Sequence, residues 1–237
     1  MGRGNLTGMD RALYLHEVVD IVGRGAAPYM AHVVGFDPGA VADRGLALAG
    51  TWEVVGTTGR WPQVVNLWEV VDGWDGWTRL ARRTNLRKAE NTELAGWWDE
   101  AHKSRTGGLD RLLASAPGAP DPVAAARAGT TGEVAVHELT HVRPGAGPEY
   151  LAAVVERWAP VAGRLGVHLV GAFEVLMTDV EVCTVWTASL DAHTALLRAG
   201  VDGDDDVAAW AAERRRWCSR WHEELMVPAP GSPLAPT

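Results

Sequence analysis

The sequence contains no apolar run long enough to cross a membrane, because no window approaches the roughly 18 to 20 consecutive apolar residues that a membrane helix needs. Residues 1–10 also lack the apolar core of a signal peptide. Basic residues are too few and too scattered for nucleic acid, since 22 Lys and Arg stand against 30 Asp and Glu without a basic stripe. The 2 cysteines, Cys183 and Cys218, have no metal or redox spacing, which suggests a reducing compartment. We therefore expect a soluble, cytoplasmic protein that binds neither nucleic acid nor a membrane.

Phenylalanine and tyrosine are scarce, at 2 and 3 residues, whereas tryptophan occurs 12 times in the 237 residues. This length permits one large domain or two small ones. A shift of 121 positions (134 − 13) places residues 13–55 on residues 134–176 without a gap, with 11 identical pairs. The chain is therefore a duplication of one unit. The identical pairs include His16/His137, Glu17/Glu138, Tyr29/Tyr150, Gly50/Gly171 and Glu53/Glu174.

Each copy shows the same succession of patterns. A β-rich run at 13–22 or 134–142 precedes a helical stretch, two further strands and a long polar helix that ends near residue 105 or 225. This order predicts an α+β fold of two tandem ferredoxin-like repeats, β-α-β-β-α twice, with room for a short extra strand at 109–114. The sheets should cover each other's exposed apolar faces. We expect repeats at 11–115 and 132–226, an Ala-, Gly- and Pro-rich linker at 116–131 and a disordered tail at 227–237.

Short motifs in the second and third strands carry a family resemblance. The motifs are Leu48-x-Gly50-x-Trp52, Gly59, Val65-Asn66-Leu67-Trp68-Glu69 and Asp72, with a fainter copy at Gly171-x-Phe173 and Val185-Trp186. Together they resemble NIPSNAP-type domains of the dimeric α/β barrel superfamily. The resemblance implies a barrel of two sheets, here an intramolecular pseudo-dimer, whose lumen binds a small, often aromatic or polyketide-like molecule. Members of that superfamily include cofactor-free monooxygenases, isomerases, cyclases and haem-binding enzymes, so the resemblance leaves the reaction open.

The string His137-Glu138-Leu139-Thr140-His141 matches the pattern of zinc metallopeptidases, in which two histidines and a glutamate share a helix. Its counterpart in the first repeat, residues 16–20, lies in a β-rich run, and Pro144 follows too soon for a stable helix. On a strand, His137 and His141 would stand about 13 Å apart, too far to share one zinc ion. We therefore predict a strand here, with no metal site and no zinc metallopeptidase.

Strand alternation divides this segment and its counterpart into two faces. The mostly apolar face should pack on helices, and the mixed face should look into the barrel. Imidazoles on the mixed face could act as acid or base near neutral pH, and an arginine could stabilise an oxyanion. The duplicated His16 and His137 could equally form hydrogen bonds within each sheet, so His141 and Arg143, which the first repeat lacks, are the more specific candidates. The candidates on this face are Tyr14, His16, Asp20, His137, His141 and Arg143.

Other candidates come from the remaining strands and the closing helices. Glu53 and Glu174 are carboxylates in apolar strands, where they could serve as bases or accept structural hydrogen bonds. Tryptophans that could bind substrate or belong to the core are Trp52, Trp68, Trp186, Trp61 and Trp74, while Trp210, Trp217 and Trp221 share a helical stripe. Three histidines, His102, His193 and His222, lie on or beside the closing helices, where some barrel relatives hold haem.

The sequence therefore favours a cofactor-independent enzyme that binds an apolar or aromatic, polyketide-like molecule in the barrel lumen. Its reaction would be proton transfer of the isomerase, lyase or cyclase kind, or cofactor-free oxygenation, which also begins with a stabilised carbanion. A haem-binding protein or haem enzyme is the first alternative. A non-catalytic binding or scaffold module is the second, and a lumen filled by side chains would favour it. The chain would act as a pseudo-symmetric monomer or as a homo-oligomer.

Overall fold

Eight β-strands form one closed antiparallel barrel in the computed structural model, which describes residues 11–36, 44–86 and 92–236. The strand order around the barrel is β1-β3-β2-β8-β5-β7-β6-β4. The first repeat supplies β1 (Leu13–Ile21), β2 (Leu46–Val54), β3 (Gln63–Val70) and β4 (Arg105–Ser115). The second repeat supplies β5 (Val134–Val142), β6 (His168–Val175), β7 (Glu181–Ala188) and β8 (Cys218–Pro228).

Helices of each repeat pack on the outer face of its own sheet. The first repeat has α1 (Ala26–Val34), α2 (Gly73–Ala81) and α3 (Thr92–Ala101), and α4 (Pro122–Arg127) lies between the repeats. The second repeat has α5 (Gly147–Ala153), α6 (Ala159–Arg164), α7 (Leu190–Asp202) and α8 (Asp205–Arg214). Two π-helical segments, Arg82–Leu86 and Val154–Trp158, extend α2 and join α5 to α6. Within the described ranges, no helix combines the length and the apolar composition that crossing a bilayer requires.

Two short seams join the repeats into an intramolecular pseudo-dimer, as predicted. In each sheet the first strand is central, since β1 pairs with β3 and β4, and β5 pairs with β7 and β8. The seams run from Trp52↔Pro228 to Val54↔Met226 and from Leu113↔Val175 to Ser115↔Phe173. Closure leaves no free sheet edge, which removes the usual site of edge-to-edge aggregation. Because all neighbours are antiparallel, β1 and β5 run in the same direction, and their C-terminal ends lie at the same end of the barrel.

The alternation predicted for β1 is confirmed by the two cores on either side of the sheet. Tyr14 and Val18 belong to the cluster inside the barrel, whereas Val19 and Ile21 belong to a cluster beneath α1. The outer face of β5 likewise packs against helices of the second repeat. A slip of one residue would exchange these faces, so burial on both sides fixes the register strongly.

The repeated Gly-x-aromatic motif lays an aromatic ring over its own strand. A Cβ on Gly50 would lie 2.1 Å from the Trp52 ring, and a Cβ on Gly171 would lie 2.4 Å from the Phe173 ring. In both strands a register shift immediately precedes the glycine. Both aromatic rings are fully buried inside the barrel. The motif that carries the family resemblance therefore builds the interior of the barrel.

The C-terminal segment differs from the predicted closing helix that ends near residue 225. Helix α8 ends at Arg214, and β8 pairs with β5 from Ala135↔Met226 to Val142↔Cys218. The equivalent β4 begins at Arg105 and is longer than the short strand predicted at 109–114. The helical spacing of these residues predicts that the helix continues. In the structure they form β8 instead, because pairing with β5 and β2 satisfies the backbone N–H and C=O groups along both edges of the strand and closes the barrel. Trp221 consequently lies on β8, and each repeat has the order β-α-β-β-α-β.

The predicted disordered tail lies against the barrel as far as residue 236. Val227 and Pro228 complete β8, and the hydroxyl of Ser232 accepts a hydrogen bond from the Thr51 amide at 3.0 Å. Leu234 is fully buried in the interior cluster, together with Val123 of α4. The tail was expected to be disordered because its prolines prevent regular structure, yet apolar burial orders it without a helix or strand. Helix α4 and the tail thus close the end of the barrel where β1 and β5 begin.

Candidate functional site

The apolar half of the barrel lumen is filled by side chains. Trp52, Phe173, Tyr14, Leu67 and Met226 are all fully buried in one cluster, and the Tyr14 and Phe173 rings lie 5.0 Å apart. The Tyr14 hydroxyl also donates a hydrogen bond to Asp121 at the cap of α4. Of the predicted substrate-binding residues, Tyr14 and Trp52 therefore form packed core at the closed end of the barrel.

The duplicated histidines meet inside the barrel. His16 Nε2 lies 3.0 Å from His137 Nδ1, and His137 Nε2 lies 2.5 Å from Glu224 Oε2. Burial raises the pKa of Glu224, but the hydrogen bond and charge of His137 outweigh burial and lower it overall, so the carboxylate accepts from His137. Whenever the His137 ring carries one proton and donates it to Glu224, His137 Nδ1 is the acceptor and His16 Nε2 is the donor. His16 Nδ1 is left buried without a partner.

The hydrogen bonds that join His16, His137 and Glu224 lie below a polar opening. This opening is at the C-terminal ends of β1 and β5. The opening has a volume of about 270 Å³, and its wall includes Asp20, Arg60, Arg111 and Glu224 but neither histidine ring. Asp20 accepts a hydrogen bond from Gln63 at 2.8 Å and pairs with Arg60 at 3.3 Å. Arg111 forms a bidentate pair with Glu181, at 2.9 and 3.0 Å. Each of these charged groups is engaged by another side chain, Glu224 by His137, and the two histidines are buried, so their rings cannot reach a substrate in the opening.

The other predicted catalytic residues are dispersed. His141 is exposed at the end of β5, 3.8 Å from Glu181, and Arg143 is exposed beyond that strand. Glu53 and Glu174 point to the outer face of their strands, and Glu174 pairs with Arg11 at 2.5 Å. The structure therefore does not bring these four side chains together with His16 and His137.

The predicted tryptophans divide between the outer face and the surface. Trp68 and Trp186 point outward, where their Nε1 atoms donate to Glu17 Oε2 and to Thr184 Oγ1, each at 2.8 Å. Trp61 and Trp74 are surface residues with exposed fractions of 56% and 51%.

A larger apolar pocket lies in the second repeat, between the outer face of its sheet and the helices α7 and α8. We call it the second-repeat pocket; its volume is about 300 Å³. Trp158 and Trp210 stack at 5.6 Å with nearly parallel planes, and Trp186 stands at 6.5 Å from Trp158. Aromatic walls of this kind suit a flat apolar molecule. The residues that line the pocket include Val136, Glu138, Trp158, Val167, Trp186, His193, Leu196, Trp210, Ala211, Arg214, Trp221 and Glu223.

Two carboxyl groups stand side by side on the floor of this pocket. Glu138 of β5 and Glu223 of β8 are directly opposite in the strand ladder. Glu138 accepts hydrogen bonds from Thr140 at 2.7 Å, Tyr150 at 2.8 Å and Thr184 at 3.4 Å, so its charge is well compensated. Burial and the nearby Glu138 raise the pKa of Glu223 to about 7, against the influence of Arg214. Glu223 nevertheless keeps 35% of its side-chain surface exposed, so a bound molecule can reach it.

Arg214 and His193 complete the polar groups of the pocket. The Arg214 guanidinium lies 3.6 Å from the centre of the Trp221 ring and 3.9 Å from Glu223. His193 of α7 is buried, and burial lowers the pKa of its ring. No side-chain hydrogen bond to this ring occurs among the residues that the structure describes. The pocket thus combines a titratable carboxyl, a cation and a neutral imidazole in apolar surroundings.

Sequence reasoning placed Glu138 correctly on the helix-packing face but missed its partner. The sequence pattern predicts a helix at Glu223. A helix has no strand partner, so this prediction gives no indication that Glu223 lies opposite Glu138. One signal was available, because Glu17 and Glu138 are an identical pair within an apolar face. A carboxylate repeated there has a cost of burial that needs a structural or functional explanation.

Known structures share this architecture at low sequence identity. An anthrone oxidase-like protein is 13% identical with a TM-score of 0.63, and the match covers 95% of this chain and 94% of that one. The shared fold is a barrel of the dimeric α/β type. A candidate monooxygenase from Fusobacterium nucleatum is 9% identical with a TM-score of 0.59, and 94% of each chain is covered. No protein-family model matches the sequence, and neither does any curated protein.

Two further matches concern the haem alternative and the NIPSNAP-type resemblance of the sequence. A mutant chlorite dismutase from Candidatus Nitrospira defluvii in complex with cyanide is 10% identical with a TM-score of 0.50, over 94% of this chain and 92% of that one. A NIPSNAP domain protein from Burkholderia xenovorans is 16% identical with a TM-score of 0.35, over 40% of this chain and 94% of that one. The matches with TM-scores of 0.50 or more show the shared fold alone and leave the function to be argued from the site.

Proposed function

We propose that the protein is a cofactor-independent enzyme that removes a proton from an apolar aromatic carbonyl compound. The compound binds in the second-repeat pocket and not in the barrel lumen as the sequence predicted, because side chains fill the apolar part of the lumen. The observation that carries this proposal is Glu223, whose carboxyl group is reachable from an aromatic-walled pocket and has a pKa of about 7. A general base works best when its pKa lies near the working pH, because it is then available and still basic enough to accept a proton.

Charge in the pocket favours a substrate that becomes an oxyanion. The three hydroxyl donors around Glu138 compensate its charge, which leaves Arg214 as the cation next to Glu223. When Glu223 takes a proton from carbon, the electron pair moves onto the carbonyl oxygen, and Arg214 can stabilise that oxygen. Trp158, Trp186 and Trp210 would hold the flat ring system and exclude water.

Anthrone is a suitable probe, because the anthrone oxidase-like protein shares the fold and because anthrone has an acidic methylene group conjugated with its carbonyl. Its deprotonation gives an enolate. In air the enolate reacts with one O₂ to give anthraquinone and one H₂O, in which one oxygen atom of O₂ becomes the new carbonyl and the other leaves with the two methylene hydrogens. Proton removal is measured without oxygen as deuterium exchange at the methylene, and oxidation is measured in air by absorbance.

The Glu223→Gln variant should lower the enzymatic rate of deuterium exchange about 100-fold or more, the usual contribution of a general base. The wild-type rate should rise with pH up to about 7 and then level off. Glu138→Gln should move this profile to lower pH, because the Glu138 charge contributes to the raised pKa of Glu223. Glu149→Gln, an exposed change on α5, is the control for loss of a carboxylate elsewhere. Unchanged exchange in Glu223→Gln would refute the assignment.

One observation favours haem binding as a second candidate, since the His193 ring faces the same pocket without a hydrogen-bond partner in the described part of the chain. The remaining residues fit a porphyrin poorly. The cavity of about 300 Å³ is at the lower limit for drug-sized ligands, and Arg214 is the only Lys or Arg on the wall against two carboxyl groups. We expect no Soret band after haemin is added, and a stoichiometric band lost in His193→Ala would instead establish haem ligation.

A further inference from the structure

The first repeat contains a pocket in the equivalent place, between its sheet and the helices α2 and α3. We call it the first-repeat pocket; its volume is about 320 Å³. Five of its wall residues occupy positions that also line the second-repeat pocket. The equivalent pairs are Leu15/Val136, Glu17/Glu138, Leu46/Val167, Trp68/Trp186 and Asp110/Glu223.

The floor of the first-repeat pocket carries the same kind of carboxyl pair. Glu17 and Asp110 are directly opposite in the ladder between β1 and β4. Burial, and then the Asp110 charge, raises the pKa of Glu17, and burial raises the pKa of Asp110. Like charges directly opposite in a sheet are destabilising. The same arrangement occurs at both floors, each beneath a cavity, where core packing alone would favour apolar side chains.

Three polar atoms on wall residues of this pocket are buried without a partner in the described structure. They are Trp97 Nε1 on α3, Thr84 Oγ1 on the π-helical extension of α2 and Arg111 Nη1 on β4. An unpaired buried donor is unfavourable, and a ligand oxygen in the cavity would supply the missing hydrogen-bond partner. Trp68, Trp77 and Trp98 supply apolar wall around these donors.

We propose that the first-repeat pocket is a second ligand site on the same chain, for an apolar aromatic molecule that carries a carbonyl or ether oxygen. The Trp97 indole N–H and the Thr84 hydroxyl donate hydrogen bonds to that oxygen. Among the described residues, the wall of this pocket has no counterpart of His193, although it carries a carboxyl pair and two arginines, Arg44 and Arg111. The inference does not depend on catalysis at Glu223.

Equilibrium dialysis with 9-fluorenone tests this proposal, because this aromatic ketone has no acidic methylene and cannot react. The intact chain should bind two molecules. Ala211→Trp, which fills the second-repeat pocket, should leave one. In that background Trp97→Phe should weaken the remaining site about two- to tenfold, because an aromatic side chain remains while the indole N–H and its hydrogen bond are lost. Leu80→Trp, which fills the first-repeat pocket, should leave one site that Trp97→Phe does not affect.

The outcomes separate the two proposals. If the intact chain binds one molecule and Ala211→Trp abolishes it, the first-repeat site is refuted while the proposed function stands. If Ala211→Trp retains a site that does not respond to Trp97→Phe, the second molecule binds elsewhere and the proposal fails. If Leu80→Trp abolishes all binding, the second-repeat pocket does not hold aromatic ketones, and the proposed function fails instead. Circular dichroism of each variant checks that the barrel is intact.

Discussion

Acid should destabilise the protein through His16. The ring is fully buried between the repeats, and burial together with His137 and Arg111 lowers its pKa well below the usual value of 6.5. The folded protein therefore holds this ring neutral at a pH at which the unfolded chain binds a proton. The neutral His16 ring therefore contributes its full stabilisation above pH 6.5. The protein loses this stabilisation as the pH falls from 6.5 towards the lowered pKa that His16 has in the folded state.

The loss of stability corresponds to one proton that the His16 ring binds only in the unfolded chain. When the pKa of His16 in the folded protein lies well below the pH of measurement, the free energy of unfolding falls by about 1.4 kcal/mol for each pH unit below 6.5. Between pH 7.5 and pH 5.5 the loss is therefore about 1.4 kcal/mol. The raised pKa of Glu223 acts in the opposite direction, because the folded protein keeps that proton up to about pH 7 while the unfolded chain loses it near 4.5. Comparison with a His16 variant removes this opposing contribution.

The assay is urea denaturation of the wild type and His16→Gln between pH 5.0 and 7.5. The variant should be less stable at pH 7.5, and the difference should shrink by about 1.4 kcal/mol at pH 5.5 because only the wild type must keep the His16 imidazole neutral in the folded state. His168→Gln, an exposed change at the start of β6, should follow the wild-type curve. Parallel curves for wild type and His16→Gln would show that His16 is not held neutral by the fold.

Two other predictions test packing and cysteine burial. Gly50→Ala should lower the free energy of unfolding by about 1–3 kcal/mol, because the new Cβ meets the buried Trp52 ring, whereas Gly96→Ala in the open on α3 should raise it by up to about 1 kcal/mol. Urea midpoints measure both changes, and equal effects would contradict the packing argument. Burial raises the pKa of Cys183 to about 12 and that of Cys218 to about 11, so a thiol reagent at pH 8 should label neither rapidly until urea unfolds the chain. Rapid labelling of the native protein would refute this protection.

Sequence alone predicted the features that depend on local pattern and on duplication. Alternation in β1 correctly separated Tyr14 and His16 from the helix-packing face, because a half-buried strand must keep one face apolar. The repeat rejected a helix at residues 137–141, and this segment is indeed the strand β5. The two repeats must adopt the same backbone, so a secondary structure predicted for this segment has to suit the sequences of both repeats.

Features that depend on long-range pairing could not be predicted. Residues 218–228 have no strong strand alternation, and they form β8 because β5 and β2 offer two edges to satisfy. The carboxyl pair of Glu138 and Glu223 exists only through that pairing. Likewise, the duplication implied that His16 and His137 are related by a pseudo-two-fold axis, but no local signal gives their distance from it. Their direct contact shows that the axis passes between the two rings.

Contact across this axis joins the two repeats in one hydrogen-bonded network inside the barrel. Inside the barrel, His16 lies opposite Arg111 and His137 lies opposite Glu224, so the two halves differ there by opposite charges within one connected network. A further change to that network must suit both repeats at once. The two outer pockets lie on separate sheets, and Met177 of the second repeat also contributes to the wall of the first-repeat pocket. Among the described wall residues, His193 occurs in the second-repeat pocket and the unpaired Trp97 and Thr84 occur in the first, and this difference separates the proposed catalytic site from the proposed binding site.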